Sequence, residues 1–218
     1  MRTALVISAH PDDETIAAGG TIAKLARAGW TVHSVFLSDG PRRPGDDHAV
    51  REAMEAHAAL GVDPPTFLPG FSTVDLLRQG TSPVARMADA VAALRLEPTL
   101  ILAPSPKELH SHHRLAAEVA AILARPTARH QPSLLAYEVH RGCWWAGEPF
   151  TPSFLVDITD TLDAKLDALA CYVSEAQSFP GQRSREAVVL EATWLGARAG
   201  VSAAEGFEVI RAFEGGLP

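Results

Sequence analysis

The first 37 residues constrain the fold most, because two strand-like segments flank one segment of helical periodicity. Ala4–Ala9 is a short and almost continuously apolar run, which is typical of a strand buried on both faces. Apolar residues then recur at helical spacing as far as Gly29, and Val32–Leu37 has the pattern of a second strand. Strand, helix and strand within about 35 residues form a βαβ unit, whose strands are parallel and whose crossover is right-handed.

The same alternation continues through the rest of the chain. Predicted helices cover Ala49–Leu60, Pro83–Leu96, His113–Leu123, Thr161–Ser174 and Ser184–Ala199. Predicted strands cover Thr66–Leu68, Thr99–Ala103, Leu134–Val139, Phe154–Ile158 and Phe207–Arg211. We therefore predict an α/β fold with a mostly parallel sheet and helices on both faces. The length of 218 residues suits one substantial core, so we expect a single domain over residues 1–218.

Composition and charge argue against several classes of protein. The net charge of −7 disfavours a general affinity for nucleic acid or for anionic membranes. No apolar run approaches the roughly 18 residues of a membrane span, and Ala4–Ala9 is too short for the core of a signal peptide. We expect a cytoplasmic enzyme or binding protein. Cys143 and Cys171 are isolated, so any metal site must be built from histidine and carboxylate.

The first polar cluster, His10-Pro11-Asp12-Asp13-Glu14, lies between the first strand and the first helix. Helix capping explains part of it, because proline and acidic residues are favoured in the first turn of a helix. Capping does not explain His10, since a charged histidine is favoured at the opposite end of a helix. The segment therefore supports both a structural and a functional interpretation.

The second polar cluster follows the strand Thr99–Ala103 and contains His110, His112 and His113, three of the nine histidines in the chain. A solvated polar loop is the structural interpretation. Three histidines directly after a buried strand favour a functional one.

The two clusters are more informative together, because both follow strands that we expect at the centre of the sheet. In a doubly wound sheet the chain reverses direction between two such strands and opens a crevice at their carboxyl ends. His10 and Asp13 would lie on one side of this crevice and His113 on the other. Two histidines and a carboxylate form a zinc shell that leaves a position for water, although Fe(II), Mn(II) or Co(II) also suits these ligands. Bound zinc lowers the pKa of water and polarises a carbonyl group.

Two further residues complete a hydrolytic site in this interpretation. Asp12 would be close to the attacking water without necessarily binding the metal, and is the candidate general base. His110 would lie near the developing oxyanion or the leaving amine, as an electrostatic stabiliser or a proton donor.

These motifs resemble the PIG-L/LmbE-like family of metal-dependent de-N-acetylases. The family motif A-H-P-D-D-E is complete at Ala9–Glu14, and the motif H-x-D-H is represented by His110–His113. The resemblance implies a Rossmann-like fold and hydrolysis of N-acetylated amino sugars or their conjugates. It also implies zinc bound by His10, Asp13 and His113, with Asp12 and His110 as catalytic groups. His112 stands where the family motif has an aspartate, so the group that would orient or charge-tune the neighbouring histidine differs from the family pattern.

Two other classes of function remain open. Two histidines and a carboxylate also form the metal site of Fe(II) oxygenases, although those enzymes usually carry it on a β-barrel. A sugar-conjugate-binding protein without turnover is the second alternative, prompted by His112.

Several residues near the predicted site have no assigned role. The loops Ser38–Asp47 and Arg141–Pro152 follow strands and are candidates for shaping a pocket. His140 suits the pocket or the surface, and Trp144 and Trp145 suit stacking on a sugar or burial against another subunit. Arg51 suits a substrate contact, but an ion pair with Glu55 is favoured. The sequence does not specify the oligomeric state.

Overall fold

The computed structural model describes residues 2–38, 47–68, 83–127, 130–139 and 148–214. The strands are β1 (Thr3–Ser8), β2 (Thr31–Phe36), β3 (Thr66–Phe67), β4 (Leu100–Pro104), β5 (Ser133–Tyr137), β6 (Phe154–Asp157) and β7 (Ala204–Arg211). The helices are α1 (Asp13–Arg27), α2 (His48–Leu60), α3 (Pro83–Ala92), α4 (Ser111–Leu123), α5 (Leu162–Cys171) and α6 (Arg185–Ala199). Short 3-10 turns at Thr159–Thr161 and Val173–Glu175 flank α5.

Within the described part of the chain, seven strands form a sheet in the order β3-β2-β1-β4-β5-β7-β6. The first five are parallel to one another, and β7 runs antiparallel to both β5 and β6. The predicted α/β fold with a mostly parallel sheet is confirmed. The periodicity of β7 predicted a strand but carried no information about its direction.

The central pair of strands creates the expected crevice. β1 lies between β2 and β4, and β4 lies between β1 and β5. The chain therefore leaves β1 toward one edge of the sheet and leaves β4 toward the other, and the segments after these two strands diverge. This divergence opens a crevice at their carboxyl ends.

Helices cover both faces of the sheet, as predicted. One apolar cluster joins the sheet to α1, α2 and α5, and includes the fully buried Phe36 and Tyr137. The other joins the opposite face to α3 and α4, and includes the fully buried Met87 and Ile101. Successive residues of the central strands point to opposite faces, so these strands must be apolar on both. None of the helices in the described ranges is long and apolar enough to cross a membrane.

Three helix boundaries differ from the prediction by two residues or more. α5 ends at Cys171 instead of Ser174, because the backbone leaves the helical conformation at Tyr172. α4 begins at Ser111, two residues before the predicted start, because the ring of His110 accepts a hydrogen bond from the backbone N–H of His112 and caps the helix. α3 ends at Ala92 instead of Leu96, because the chain turns there and Arg95 adopts a positive φ of 53°. α2 ends where predicted, with Gly61 in the left-handed conformation at φ 75°.

Candidate metal centre

The loop after β1 places Asp13 over the backbone of the residues before it. Asp13 Oδ2 accepts hydrogen bonds from the backbone N–H groups of His10 at 2.9 Å and Ala9 at 3.2 Å. Asp12 occupies the N-cap position of α1, but its side chain makes no capping hydrogen bond. Helix capping therefore does not account for the two adjacent aspartates, and both carboxylates are available to a site.

The first turn of α4 supplies the opposite side of the crevice. His110 is the N-cap residue, and His112 and His113 are buried in the first helical turn. Since α4 begins close to the carboxyl end of β4, this turn brings the second histidine cluster to the first. The four rings of His10, His110, His112 and His113 lie close together, and the described ring pairs have centroids 4.7–5.4 Å apart.

The three predicted metal ligands lie around one position, as the sequence predicts. These residues, called the triad below, are His10, Asp13 and His113. His10 Nδ1 lies 3.6 Å from Asp13 Oδ2, and His113 Nε2 lies 3.4 Å from Asp13 Oδ1. One potential ligand atom from each residue lies within 4.8 Å of the other two. Two imidazoles and one carboxylate match the ligands of catalytic zinc sites, so the residues present fit such an ion.

Glu108 orients His113 and received no role from the sequence. Its Oε2 lies 3.4 Å from His113 Nδ1, while its Oε1 accepts a hydrogen bond of 2.6 Å from the backbone N–H of Val139. Carboxylates at this position hold a metal-binding histidine in one tautomer and raise its basicity. The sequence contained one signal for this role, because Glu108 is a carboxylate that closely precedes the second histidine cluster.

The protonation states of Asp13 and His113 depend on one another. Burial alone would raise the pKa of Asp13, but the charge of His113 and hydrogen bonds from both His113 and His10 hold it well below its usual value. Burial opposes protonation of His113, yet Asp13 and Glu108 raise its pKa to about 10. Without a metal, His113 is therefore protonated at neutral pH, and a metal ion must displace that proton to bind its nitrogen.

Asp12 is buried beside the triad in a strained backbone conformation. Its φ of 110° is in a region that residues other than glycine rarely adopt. Burial and the negative charge of Asp13 raise its pKa well above the usual aspartate value. A carboxylate with a raised pKa next to a candidate metal position has the properties of a proton acceptor.

Arg183 contacts Asp12 and was not found from the sequence. Its Nε lies 3.0 Å from Asp12 Oδ2, and its Nη1 donates a hydrogen bond of 2.6 Å to Glu175. Arg183 lies in the irregular segment before α6, and neither periodicity nor a local motif links this segment to the loop after β1. The ion pair lowers the pKa of Asp12, but by less than burial and Asp13 raise it.

His110 and His112 differ from His113 in their protonation. Burial and the positive charges of neighbouring histidines lower the pKa of His110 to about 4, and burial and His10 also lower the pKa of His112. Because His110 Nδ1 accepts the N–H of His112, the ring hydrogen of neutral His110 lies on Nε2. His112 Nδ1 lies within hydrogen-bond distance, 3.0 Å, of His10 Nε2.

A cavity of about 710 Å³ is lined by residues of α1, α5, α6 and β7. Ile16 of α1 lines it, one turn after Asp12. Gln182 and Glu138 also line it, next to Arg183 and to Val139 respectively. The opposite wall includes apolar residues of α6 such as Trp194 and Leu195. His10, Asp13 and His113 are not among the residues that line this cavity.

The other residues noted in the sequence lie elsewhere. Arg51 is exposed on α2, while the adjacent Glu52 accepts hydrogen bonds from the backbone and hydroxyl groups of Ser174. His140, Trp144 and Trp145 lie outside the described residues, as do most of the loops Ser38–Asp47 and Arg141–Pro152.

Comparison with known proteins identifies relatives that span most of the chain. The 4-oxalmesaconate hydratase of Pseudomonas putida is 30% identical over 201 residues, covering 80% of this chain and 74% of the hydratase. The diacetylchitobiose deacetylase of Thermococcus kodakarensis is 26% identical over 191 residues, covering 80% of this chain and 70% of the deacetylase. These relatives are enzymes of two different activities.

A solved structure confirms the fold. GalB, the 4-carboxy-2-hydroxymuconate hydratase from Pseudomonas putida KT2440, superposes with a TM-score of 0.76 at 26% identity, covering 98% of this chain and 99% of that chain. The profile of the PIG-L family, described as GlcNAc-PI de-N-acetylase, matches residues 5–124 and so includes both histidine clusters. This match covers more than half of the chain, which therefore belongs to the PIG-L family of enzymes.

Proposed function

We propose that this protein is a zinc-dependent hydrolase that removes the acetyl group from an N-acetylated amino sugar or amino-sugar conjugate. The observation that carries the proposal is the convergence of His10, Asp13 and His113 beside the buried carboxylate of Asp12. The diacetylchitobiose deacetylase relative supports the class of substrate. His10, Asp13 and His113 would hold the ion, which when bound activates water and polarises the amide carbonyl.

Asp12 acts as the general base in this proposal. Because its pKa is raised, Asp12 has enough affinity for a proton to take one from the attacking water. The ion pair with Arg183 holds the carboxylate in place. The protonated Asp12 can then return this proton to the amine as the carbon–nitrogen bond breaks. The net reaction consumes one water molecule and releases acetate and a free amine.

His110 acts as an electrostatic stabiliser. With a pKa of about 4 in the absence of a metal, its ring is neutral at neutral pH and has no spare proton to give to the amine. Its Nε2–H is nevertheless available as a hydrogen-bond donor, because Nδ1 accepts from the backbone of His112. Such a donor stabilises the oxyanion of a tetrahedral intermediate.

We also propose that the cavity lined by α1, α5, α6 and β7 receives the rest of a conjugate. A volume of about 710 Å³ suits a small organic ligand. Trp194 is exposed on its wall, and the guanidinium carbon of Arg198 lies over its ring at 5.0 Å from the centroid. We propose that the rest of this aromatic surface contacts a sugar ring or an apolar group. We also propose that residues 1–218 form one domain of this family, as the coverage of the GalB structure supports.

A hydratase activity is the second candidate, because two comparisons favour it. The 4-oxalmesaconate hydratase is 30% identical, and the GalB hydratase matches nearly the whole chain at 26% identity. Deprotonation of water by Asp12 would serve addition to a carbon–carbon double bond as well as attack on an amide. An Fe(II) oxygenase is not favoured, since the triad lies on an α/β sheet and not on a β-barrel.

One experiment separates the two activities by their products. Zinc-loaded protein is incubated with a panel of N-acetylglucosaminyl conjugates, and free amine and acetate are measured. In parallel, it is incubated with the unsaturated acids named for the two hydratases, and the loss of their ultraviolet absorbance is followed. The proposal predicts equal amounts of amine and acetate in the first assay, formed about 10²- to 10⁴-fold more slowly with Asp12→Asn. If turnover occurred only in the second assay, the proposed deacetylase activity would be wrong and the hydratase activity would take its place.

A further inference from the structure

His112 gives this chain a second set of metal-binding nitrogens beside the first. We propose that His10, His110 and His112 form a second site, which binds zinc or a similar divalent ion in addition to the ion held by His10, Asp13 and His113. One ring nitrogen from each of these three histidines lies within 4.8 Å of the other two. An all-nitrogen set of this kind favours zinc, copper or nickel over magnesium or calcium.

The geometry of His10 allows it to serve both sites. Its Nδ1 lies 3.6 Å from Asp13 Oδ2, whereas its Nε2 lies 3.0 Å from His112 Nδ1. The two nitrogens of one ring thus face the two sets. The second ion displaces the ring hydrogen between His10 and His112, and this proton leaves to solvent. The imidazole ring of His10 then bridges the two ions.

The exposure of the second set suits a weaker and exchangeable ion. His110 is exposed and His10 is half-buried, so solvent can reach the site and supply the remaining ligands. The first ion repels the second across the width of one imidazole ring, which weakens the second binding step. His110 would bind this ion through Nε2, so its ring hydrogen would move to Nδ1 and the hydrogen bond from the backbone N–H of His112 would break. The donor that the proposed hydrolysis uses would then be lost. We therefore expect the second ion to inhibit.

Metal stoichiometry tests the second site without any substrate. The full-length protein is stripped with a chelator and titrated with zinc alone, in competition with a chromophoric chelator. The expected result is two bound equivalents, with the second at least about tenfold weaker. His112→Asn should bind one equivalent only, the one held by His10, Asp13 and His113. His130→Asn, a control outside the cluster, should retain both.

Cobalt provides an independent measurement that does not depend on one variant. The visible absorbance of the wild-type protein should rise in two distinct steps as cobalt is added, and only the first step should remain in His112→Asn and His112→Gln. Circular dichroism verifies that each variant is folded. If one of the two His112 variants does not fold, the other still provides the test. One equivalent in the wild type, or two in a folded His112 variant, would overturn the second site. Because no turnover is measured, this outcome is independent of the proposed deacetylase activity.

Discussion

Glu108 Oε2 lies 3.4 Å from His113 Nδ1, on the far side of the imidazole ring from Asp13. The ring is therefore held between two carboxylates, one on each nitrogen. This arrangement directs Nε2 toward the proposed metal position. It makes Glu108 a positioning residue for the proposed site, because it acts through His113.

Glu108→Gln should weaken zinc binding by about 10- to 100-fold, because the substitution removes the charge that stabilises and orients His113. Zinc competition titrations measure this change. The amide oxygen can still accept the hydrogen bond from Val139, so the fold should be retained. Glu97→Gln, which changes a carboxylate outside the site, is the matched control. Equal zinc affinities for Glu108→Gln and the wild type would show that Glu108 has no such role.

Zinc affinity should increase with pH across the neutral range. His113 has a pKa of about 10 in the metal-free protein, so it carries a proton that zinc must displace. As pH rises toward 10, less work is needed to remove this proton, and apparent affinity should rise about tenfold per pH unit for the one proton. Calorimetry at neutral pH in two buffers of different ionisation enthalpy measures the proton release. An affinity that is independent of pH between about 6 and 8 would contradict this assignment.

Asp12→Asn should lower the rate of hydrolysis by about 10²- to 10⁴-fold, because the amide cannot accept the proton of the attacking water. Zinc content should remain that of the wild type, since the proposed ligands are unchanged. Product assays and metal analysis on the same preparation test both expectations. Full activity with bound zinc would remove Asp12 from the mechanism.

The same substitution should stabilise the metal-free fold at neutral pH. The folded-state pKa of Asp12 is raised, so the folded protein loses stability as pH rises from the usual aspartate pKa to this higher value. Asparagine cannot ionise and avoids this loss. Thermal unfolding should therefore show a higher Tm for Asp12→Asn at neutral pH. The difference should vanish in acid, where Asp12 is protonated in both states; a lower Tm at neutral pH would contradict the expectation.

Two adjacent glycines of α1 should respond differently to substitution by alanine. A Cβ at Gly20 would lie 2.8 Å from three side-chain carbons of Ile158, whereas a Cβ at Gly19 would lie 3.2 Å from Cγ of Lys165. Alanine gains about 1 kcal/mol in helix propensity at either position, but overpacking costs about 1–3 kcal/mol. Gly20→Ala should therefore lower the free energy of unfolding relative to Gly19→Ala. Chemical denaturation measures the free energy of unfolding of both variants. A lower value for Gly19→Ala than for Gly20→Ala would contradict the close approach of Gly20 to Ile158.

The sequence allowed prediction of the part of the site that depends on the sheet. His10 and His113 follow β1 and β4, and the apolar patterns of these strands place them at the centre of a parallel sheet. The order and direction of these strands then bring His10 and His113 to the same edge of the sheet. The cytoplasmic location, the binding of metal by His10, Asp13 and His113, and the catalytic roles of Asp12 and His110 stay predictions.

Contacts between distant irregular segments were not predictable in the same way. Arg183 reaches Asp12 from a segment that has no periodicity, so only the folded chain reveals the ion pair. The early start of α4 was missed because histidine is not among the residues that usually cap helices, although the ring of His110 accepts the required hydrogen bond.

Reconstitution of the metal-free protein tests the central claim most directly. The protein is stripped of metal, one equivalent of zinc is added, and acetate release from N-acetylglucosaminyl conjugates is measured beside bound zinc. We predict that stripped protein is inactive, that zinc restores acetate release with at least one conjugate, and that His113→Ala recovers neither binding nor activity. Zinc-loaded protein that releases no acetate from any conjugate, or stripped protein that remains fully active, would contradict the claim.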